Sequence, residues 1–267
     1  MLQDAIEQST SIKELHLDGV GEEALSVLTR MRSPLESVDL FVEPSAVEFY
    51  PDPTVVLSGF ASSLTHLRVR WVQMDRPSIQ FPKVQSLSIE DDNFVPADLL
   101  IHVFPNLRSL TISTDTGEHL EMEQADLKQI HYRNKNHQKK HGSWPVLDYL
   151  EGDVTLLYCL APTCKVRRLS VWASSSDVDK LLVLCKEIQP ESLKLYFHMN
   201  KLSMDELEEV LKSGDIKHIS LTIDTYSTQA SLEETQKYFV SRPLRFHPRL
   251  LTLTGLPLSL GALPRPL

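Results

Sequence analysis

One short phrase returns eleven times along this chain: an apolar residue, two of any kind, an apolar residue, one of any kind, an apolar residue. It reads SIKELHL, LESVDL, LTHLRV, VQSLSI, LRSLTI, LKQIHY, a damaged copy around VLDYLEG, then VRRLSV, ESLKL, IKHISL and RLLTL. The middle apolar residues are Leu15, Val38, Leu67, Leu87, Leu110, Ile130, Leu150, Leu169, Leu193, Ile219 and Leu251. Successive copies lie about 20–30 residues apart, a period at which one supersecondary unit cannot bury its apolar side alone and must stack on its neighbours. The alternation within each copy is that of a strand.

Helical segments fill the gaps. GEEALSVLTRM (21–31) and PADLLIHVF (96–104) space their apolar residues at helical intervals. SSSDVDKLLVLCKEI (174–188) opens on a Ser/Asp cap region and carries Val178, Leu181, Leu182, Leu184, Cys185 and Ile188. SMDELEEVLKSG (203–214) has capping-box spacing in Ser203 and Glu206, and SLEETQKYFVSR (231–242) repeats it with Ser231 and Glu234. A strand and a helix per unit predict an α/β leucine-rich-repeat solenoid: a horseshoe with a parallel sheet on the concave side and helices on the convex side. The array is expected over 12–255, with a cap segment at 1–11 and a proline-rich tail at 256–267. From Gly117 to Gly142 no amphipathic helix can be drawn, and the segment reads as an irregular excursion between two repeats.

Composition narrows the function classes. A hydrophobic content of 42% and a charged content of 24% are those of an ordinary soluble protein. No apolar run approaches the roughly 20 residues of a membrane span, and MLQDAIEQST lacks the basic start of a secretory signal. A net charge of −9 argues against nucleic acid, which demands clustered cations to displace phosphate counterions. Cys159, Cys164 and Cys185 are an odd number in one stretch and read as buried free thiols of a cytoplasmic or nuclear protein.

The block GSWPVLDYLEGDVTLLYCLAPTCKVRRLSV (142–171) resembles a stretch of fungal F-box-type proteins of the mushroom lineage. In that family the C-terminal two-thirds is a degenerate leucine-rich-repeat array. The resemblance extends over 12–255 as repeat pattern and implies a substrate-recognition region. An F-box segment reading like LPxELLxxI does not occur in this sequence. Ubiquitin-ligase adaptor activity is therefore expected only if an F-box is supplied upstream.

Catalytic motifs do not emerge. The chain has no GxxxxGK[ST] or GxGxxG loop, no GxSxG elbow and only nine glycines. Cys159 and Cys164 are too far apart for a close thiol pair and read as core. His131, His137 and His141 could converge on zinc, but no carboxylate or thiol accompanies them in the local run, so no metal and no cofactor is expected. The cations of HYRNKNHQKKH read as solvated surface, and the carboxylates Asp91, Asp92, Glu208 and Glu209 likewise.

Strand alternation supplies the candidate site. With the phrase leucines in the core, the residues between them line the opposite sheet face. These are Glu14, His16 and Asp18; Ser37, Asp39 and Phe41; His66, Arg68 and Arg70, with Trp71 next; Ser86, Ser88 and Glu90; Ser109, Thr111 and Ser113; Gln129, His131 and Arg133; Arg168, Ser170 and Trp172; His218, Ser220 and Thr222. Arg68, Arg70, Trp71, Arg133, Arg168 and Trp172 are the expected anchors for a protein partner, because large planar groups dominate interface hot spots. The expectation is a non-enzymatic, protein-binding scaffold. The rival readings are a degenerate relic that folds and binds nothing, and an enzyme on a repeat scaffold.

Overall fold

A computed structural model describes residues 8–43, 50–74, 79–90, 95–114, 123–173, 175–198, 204–213, 216–224 and 250–255. Ten strands form a single sheet: β1 (Glu14–Val20), β2 (Ser37–Val42), β3 (His66–Arg70), β4 (Ser86–Glu90), β5 (Ser109–Ser113), β6 (Val146–Asp153), β7 (Lys165–Ala173), β8 (Ser192–His198), β9 (His218–Asp224) and β10 (Leu250–Gly255). They lie side by side in chain order, and every pairing is parallel. Parallel neighbours need a crossover. Those described as helical are α1 (Glu22–Leu28), α2 (Pro53–Val56), α3 (Ala97–Val103), α4 (Gln124–His141), α5 (Val154–Leu160), α6 (Val178–Ile188) and α7 (Met204–Lys212).

The register joins the repeat phrases into one row. Leu15 pairs with Val38, Val38 with Leu67, Leu67 with Leu87, and Leu87 with Leu110. The row continues through Leu150, Leu169, Leu193, Ile219 and Leu251. Ten of the eleven expected mid-phrase residues thus stand in line. A one-residue slip would send the whole apolar set of a strand to the other face, so burial of one face fixes this alignment. The core fills the space between that face and the helices, where Leu40, Leu110, Leu150, Leu193 and Leu195 meet Leu28, Leu100, Leu157, Leu181 and Leu207 in one cluster.

The copy called damaged is a regular strand: β6 pairs on both sides, with Leu150 between Leu110 and Leu169. Its Gly152 is dictated by a close approach. A Cβ there would lie 2.1 Å from the carbonyl oxygen of Ile112 on β5. Trp144, at the start of the same block, is buried and donates its indole N–H to the Phe104 carbonyl at 2.9 Å.

The expectation for 117–142 fails over its larger part. Residues 124–141 form an 18-residue helix, α4, and the LKQIHY copy centred on Ile130 lies within it instead of forming a strand. The reason is the chemistry of its inner side. α5 ends at Leu160, and its last carbonyls need outside partners. His131 Nδ1 lies 2.7 Å from the Tyr158 carbonyl; a carbonyl only accepts, so that nitrogen carries the proton and donates. Asn134 donates to the Cys159 carbonyl at 2.7 Å, and Gln138 to those of Leu160 and Ala161 at 2.9 and 3.0 Å. The inward side of α4 is polar because it serves as a cap for α5, and a search for apolar periodicity passes over it.

The described helices match the expectations at 21–31, 96–104 and 174–188, and α7 matches at 204–212. Ser203, the predicted helix at 231–242, the acidic pair at 91–92 and the tail at 256–267 lie outside the described residues. Among the described residues no helix is long and apolar enough to cross a membrane. The three cysteines occupy core positions as free thiols.

Candidate functional site

The sheet face opposite the core carries the side chains that alternate with the leucines. Over β3–β5 its residues are half-buried or exposed where the core rows are buried, and on β7 and β9 Ser170 and Thr222 are the buried members of the face. The face divides into three zones by chemistry.

Over β3 and β4 the arginines of the face pair with carboxylates of the same face. His16 Nδ1 lies 3.0 Å from Asp39 Oδ2, and Arg68 reaches Asp39 at 3.9 Å. Glu90 binds both predicted arginines. Its Oε1 takes Arg68 Nη2 at 2.5 Å, and its Oε2 takes Arg70 Nε at 2.5 Å. The hydrogen bond to Glu90 raises the Arg68 pKa further above its ordinary value. Arg70 also sits over the Phe41 ring, 5.5 Å from its centroid. Both arginines are on the face where alternation put them, but their charges are engaged within the molecule. Trp71 stacks on Tyr50 at 6.0 Å and packs against the edge of the core, with a left-handed backbone at φ 56°.

Over β4 and β5 the face is a floor of small hydroxyls: Ser86, Ser88, Ser109, Thr111 and Ser113, aligned strand to strand.

Over β6–β8 the surface changes. Trp172 is 39% exposed and stacks on Tyr196 of the next strand, with centroids 5.3 Å apart and planes 15° from parallel. Lys194 lies 4.6 Å from the Tyr196 centroid. Arg168, exposed, sits 5.3 Å over the Tyr149 ring and makes a long hydrogen bond of 3.4 Å to the Asp148 carbonyl. Neither Arg168 nor Lys194 pairs with a carboxylate among the described residues. Ser170 donates to Glu151 Oε1 at 3.1 Å. Burial, reinforced by the neighbouring Glu151, pushes the Tyr149 phenol up to about 12. A shallow depression of about 580 Å³ opens beside this cluster, between Arg108, Asp148, Tyr149 and Arg168.

Of the expected anchors, then, Arg168 and Trp172 belong to one exposed aromatic and cationic cluster. Arg68 and Arg70 form a separate, neutralised group. Arg133 is not on the sheet at all: it projects from the exposed side of α4, with Gln129 on the same helix and His131 buried beneath it. Tyr149, Glu151, Lys194 and Tyr196 were missed. Counting alternate positions from Leu150 and Leu193, as was done for the other strands, would have found all four.

The histidines of α4 do not converge. His131 is stacked at 4.2 Å on Tyr158 and faces Glu187 at 3.3 Å, whereas His137 and His141 stack on each other at 4.5 Å. Among the described residues no group of three or more His, Cys, Asp or Glu side chains is placed to hold a metal ion. The thiols offer no nucleophile: burial raises all three, Cys159 to about 11 and Cys185 to about 12. Such groups stay protonated at neutral pH.

No family model, curated protein or solved structure matches the chain.

Proposed function

We propose that the chain is a non-enzymatic protein-interaction scaffold whose partner docks on the open sheet face. We read the parallel, chain-ordered sheet as a leucine-rich-repeat horseshoe, resembling the recognition region of mushroom-lineage F-box-type proteins. A sheet in which each strand lies beside its predecessor supports that reading, since a repeat array grows by nearest-neighbour stacking. Adaptor activity enters the proposal only with an F-box supplied upstream.

The observation that carries the proposal is the uncovered cluster over β6–β8. Exposed aromatic surface and cations without counter-ions, held side by side on a rigid sheet, are what interface hot spots are made of. Tyr149, Arg168, Trp172, Lys194 and Tyr196 are the residues assigned to it. Arg68 and Arg70 are set aside, because engaging a partner would first require breaking their bonds to Glu90.

The test is site-specific photo-crosslinking. A benzophenone amino acid replaces Tyr196 in one protein and the exposed Tyr132 of α4 in another, and both are irradiated in fungal lysate. The expected result is a set of polypeptides captured from position 196 alone, displaced by excess unlabelled protein. Capture of the same polypeptides from both positions, or none from position 196, overturns the proposal.

A further inference from the structure

The zone from β7 to β9 is unusual for this chain. The net charge is −9, and Asp plus Glu number 36 against 27 Lys plus Arg. Yet three successive rows of the open face hold no carboxylate there. The first row is Arg168, Ser192 and His218; the second is Ser170, Lys194 and Ser220; the third is Trp172, Tyr196 and Thr222. The nearest acids of the face stand one strand aside on β6: Glu151, which accepts from Ser170, and Asp153, which accepts from the backbone N–H of Thr114. Over β3 and β4, by contrast, both arginines of the face are paired with a carboxylate, the shared Glu90. Arg168 and Lys194 have no carboxylate partner among the described residues, so this patch is where negative charge from outside meets unpaired cations.

The rows carry a spacing. Each is two residues further along the strands, about 6.6 Å. An extended peptide presents its side chains to one side with the same period of two. Three successive inward residues of such a peptide would meet Arg168, then Lys194, then the Trp172–Tyr196 stack. The half-buried hydroxyls of Ser192 and Ser220 between them can donate to a carboxylate or accept from a peptide N–H.

We propose that this patch binds an extended acidic segment of a protein partner, with the pattern acid, any, acid, any, apolar or aromatic. This rests on the reading of the open face as the docking surface and specifies its occupant. The two carboxylates meet Arg168 and Lys194, and the third inward residue stacks on Trp172 and Tyr196. The guanidinium gives the first carboxylate a planar, two-pronged partner, and the ammonium gives the second a point charge. Long-range attraction toward a chain of this net charge is weak, so recognition resides in these close contacts.

The experiment selects from a phage-displayed library of random peptides of about twelve residues against the whole chain, followed by synthesis of the enriched peptides. The expected consensus has Asp or Glu two residues apart and an aromatic or large aliphatic residue two further on. Affinity should fall about tenfold or more in the Arg168→Gln, Lys194→Gln double variant, and fall as salt rises from about 50 to 500 mM. Both side chains are exposed, Lys194 in cation–π contact and Arg168 adding one long hydrogen bond to the Asp148 carbonyl, and circular dichroism checks that the variant folds. Peptides that photo-crosslink to position 196 without acidic enrichment overturn this inference and leave the docking surface standing. Acidic peptides that bind the double variant as well as the wild type overturn it too, because their site is elsewhere. No crosslinking of peptide or lysate protein at position 196 removes both.

Discussion

α4 and α6 both pack against the helix layer, yet they are held by opposite means. α6 turns Val178, Leu181, Leu184, Cys185 and Ile188 inward and joins the main apolar core. α4 turns His131, Asn134 and Gln138 inward, at intervals of three and four residues, and these meet the carbonyls at the end of α5. Its apolar contribution is a small satellite of Leu127 with Tyr158 and Cys159. Hydrophobic anchoring is non-directional and scales with the area buried. Polar anchoring is directional and adds little net energy per bond, but leaving a buried partner unsatisfied is costly. The difference shows that a helix can be placed by what its neighbour lacks as well as by what it hides itself.

Alkaline pH should separate the two anchors most forcefully. The α6 interface contains Cys185, whose thiol is raised from 9.0 to about 12 by burial. The folded protein therefore keeps a proton that the unfolded chain releases. The stabilisation is whole below about pH 9 and is lost as pH rises toward 12. Cys159, which packs with Leu127 of α4, adds a smaller fall up to about 11, so the α6 side loses more. The amides of Asn134 and Gln138 do not titrate. Urea denaturation should give falling stability from pH 9 upward, and Cys185→Ala should flatten that fall while lowering stability at pH 7. An unchanged slope in the variant would mean that Cys185 is not the group concerned.

Substitutions at neutral pH refine the comparison. Leu184→Ala, at a site 1% exposed, should cost about 2–5 kcal/mol through the cavity it leaves. Gln138→Ala should cost less, about 1–3 kcal/mol, the desolvation penalty of groups left unpaired. Gln138 donates to two carbonyls, and its Oε1 accepts from the Thr163 N–H at 3.1 Å and the Ser143 hydroxyl at 3.0 Å. Hydrogen exchange should report the difference in kind. Loss of Gln138 should loosen the C-terminal turn of α5 and residues 161–163, whereas loss of Leu184 should lower protection across the core. Equal, global effects from both would erase the distinction between the anchors.

The same contrast explains what could be read beforehand. The strand ladder was legible because burial of one sheet face imposes a period of two, and nine neighbouring copies agreed on it. Leu150 was legible as a repeat position, though its strand looked damaged: Tyr149 and Glu151 were simply not read as face residues. LKQIHY misled because Leu127, Ile130 and Tyr132 satisfy the strand phrase while also fitting a helix. There Leu127 and Ile130 share a side, and Tyr132 turns outward, 69% exposed. Nothing in the sequence marks His131, Asn134 and Gln138 as caps, because their partners are backbone carbonyls more than twenty residues away. The site was legible as a face and not as a patch. Alternation put Arg68, Arg70, Arg168 and Trp172 on one surface, but only the cross-strand register brings Glu90 to both of the first pair and Tyr196 to Trp172.

The smallest expected effect lies where the two helices touch across α5. Glu187 of α6 receives Lys135 in an ion pair and faces His131 Nε2 at 3.3 Å, so one carboxylate ties the polar helix to the apolar one. The Lys135 side chain is 28% exposed and that of Glu187 is 20% exposed. Solvent and salt screen such a pair, and its formation immobilises two flexible chains. Lys135→Met keeps the aliphatic stem and removes the charge. It should cost under about 1 kcal/mol, and the difference from wild type should shrink as salt is raised. Tyr132→Ser, on the outward side of the same helix, should change stability by no more than about 0.5 kcal/mol and serves as the reference. If Lys135→Met instead matched Gln138→Ala in cost, the ion pair and not the carbonyl caps would be the principal anchor of α4, and the helix would be held by charge rather than by the unsatisfied end of its neighbour.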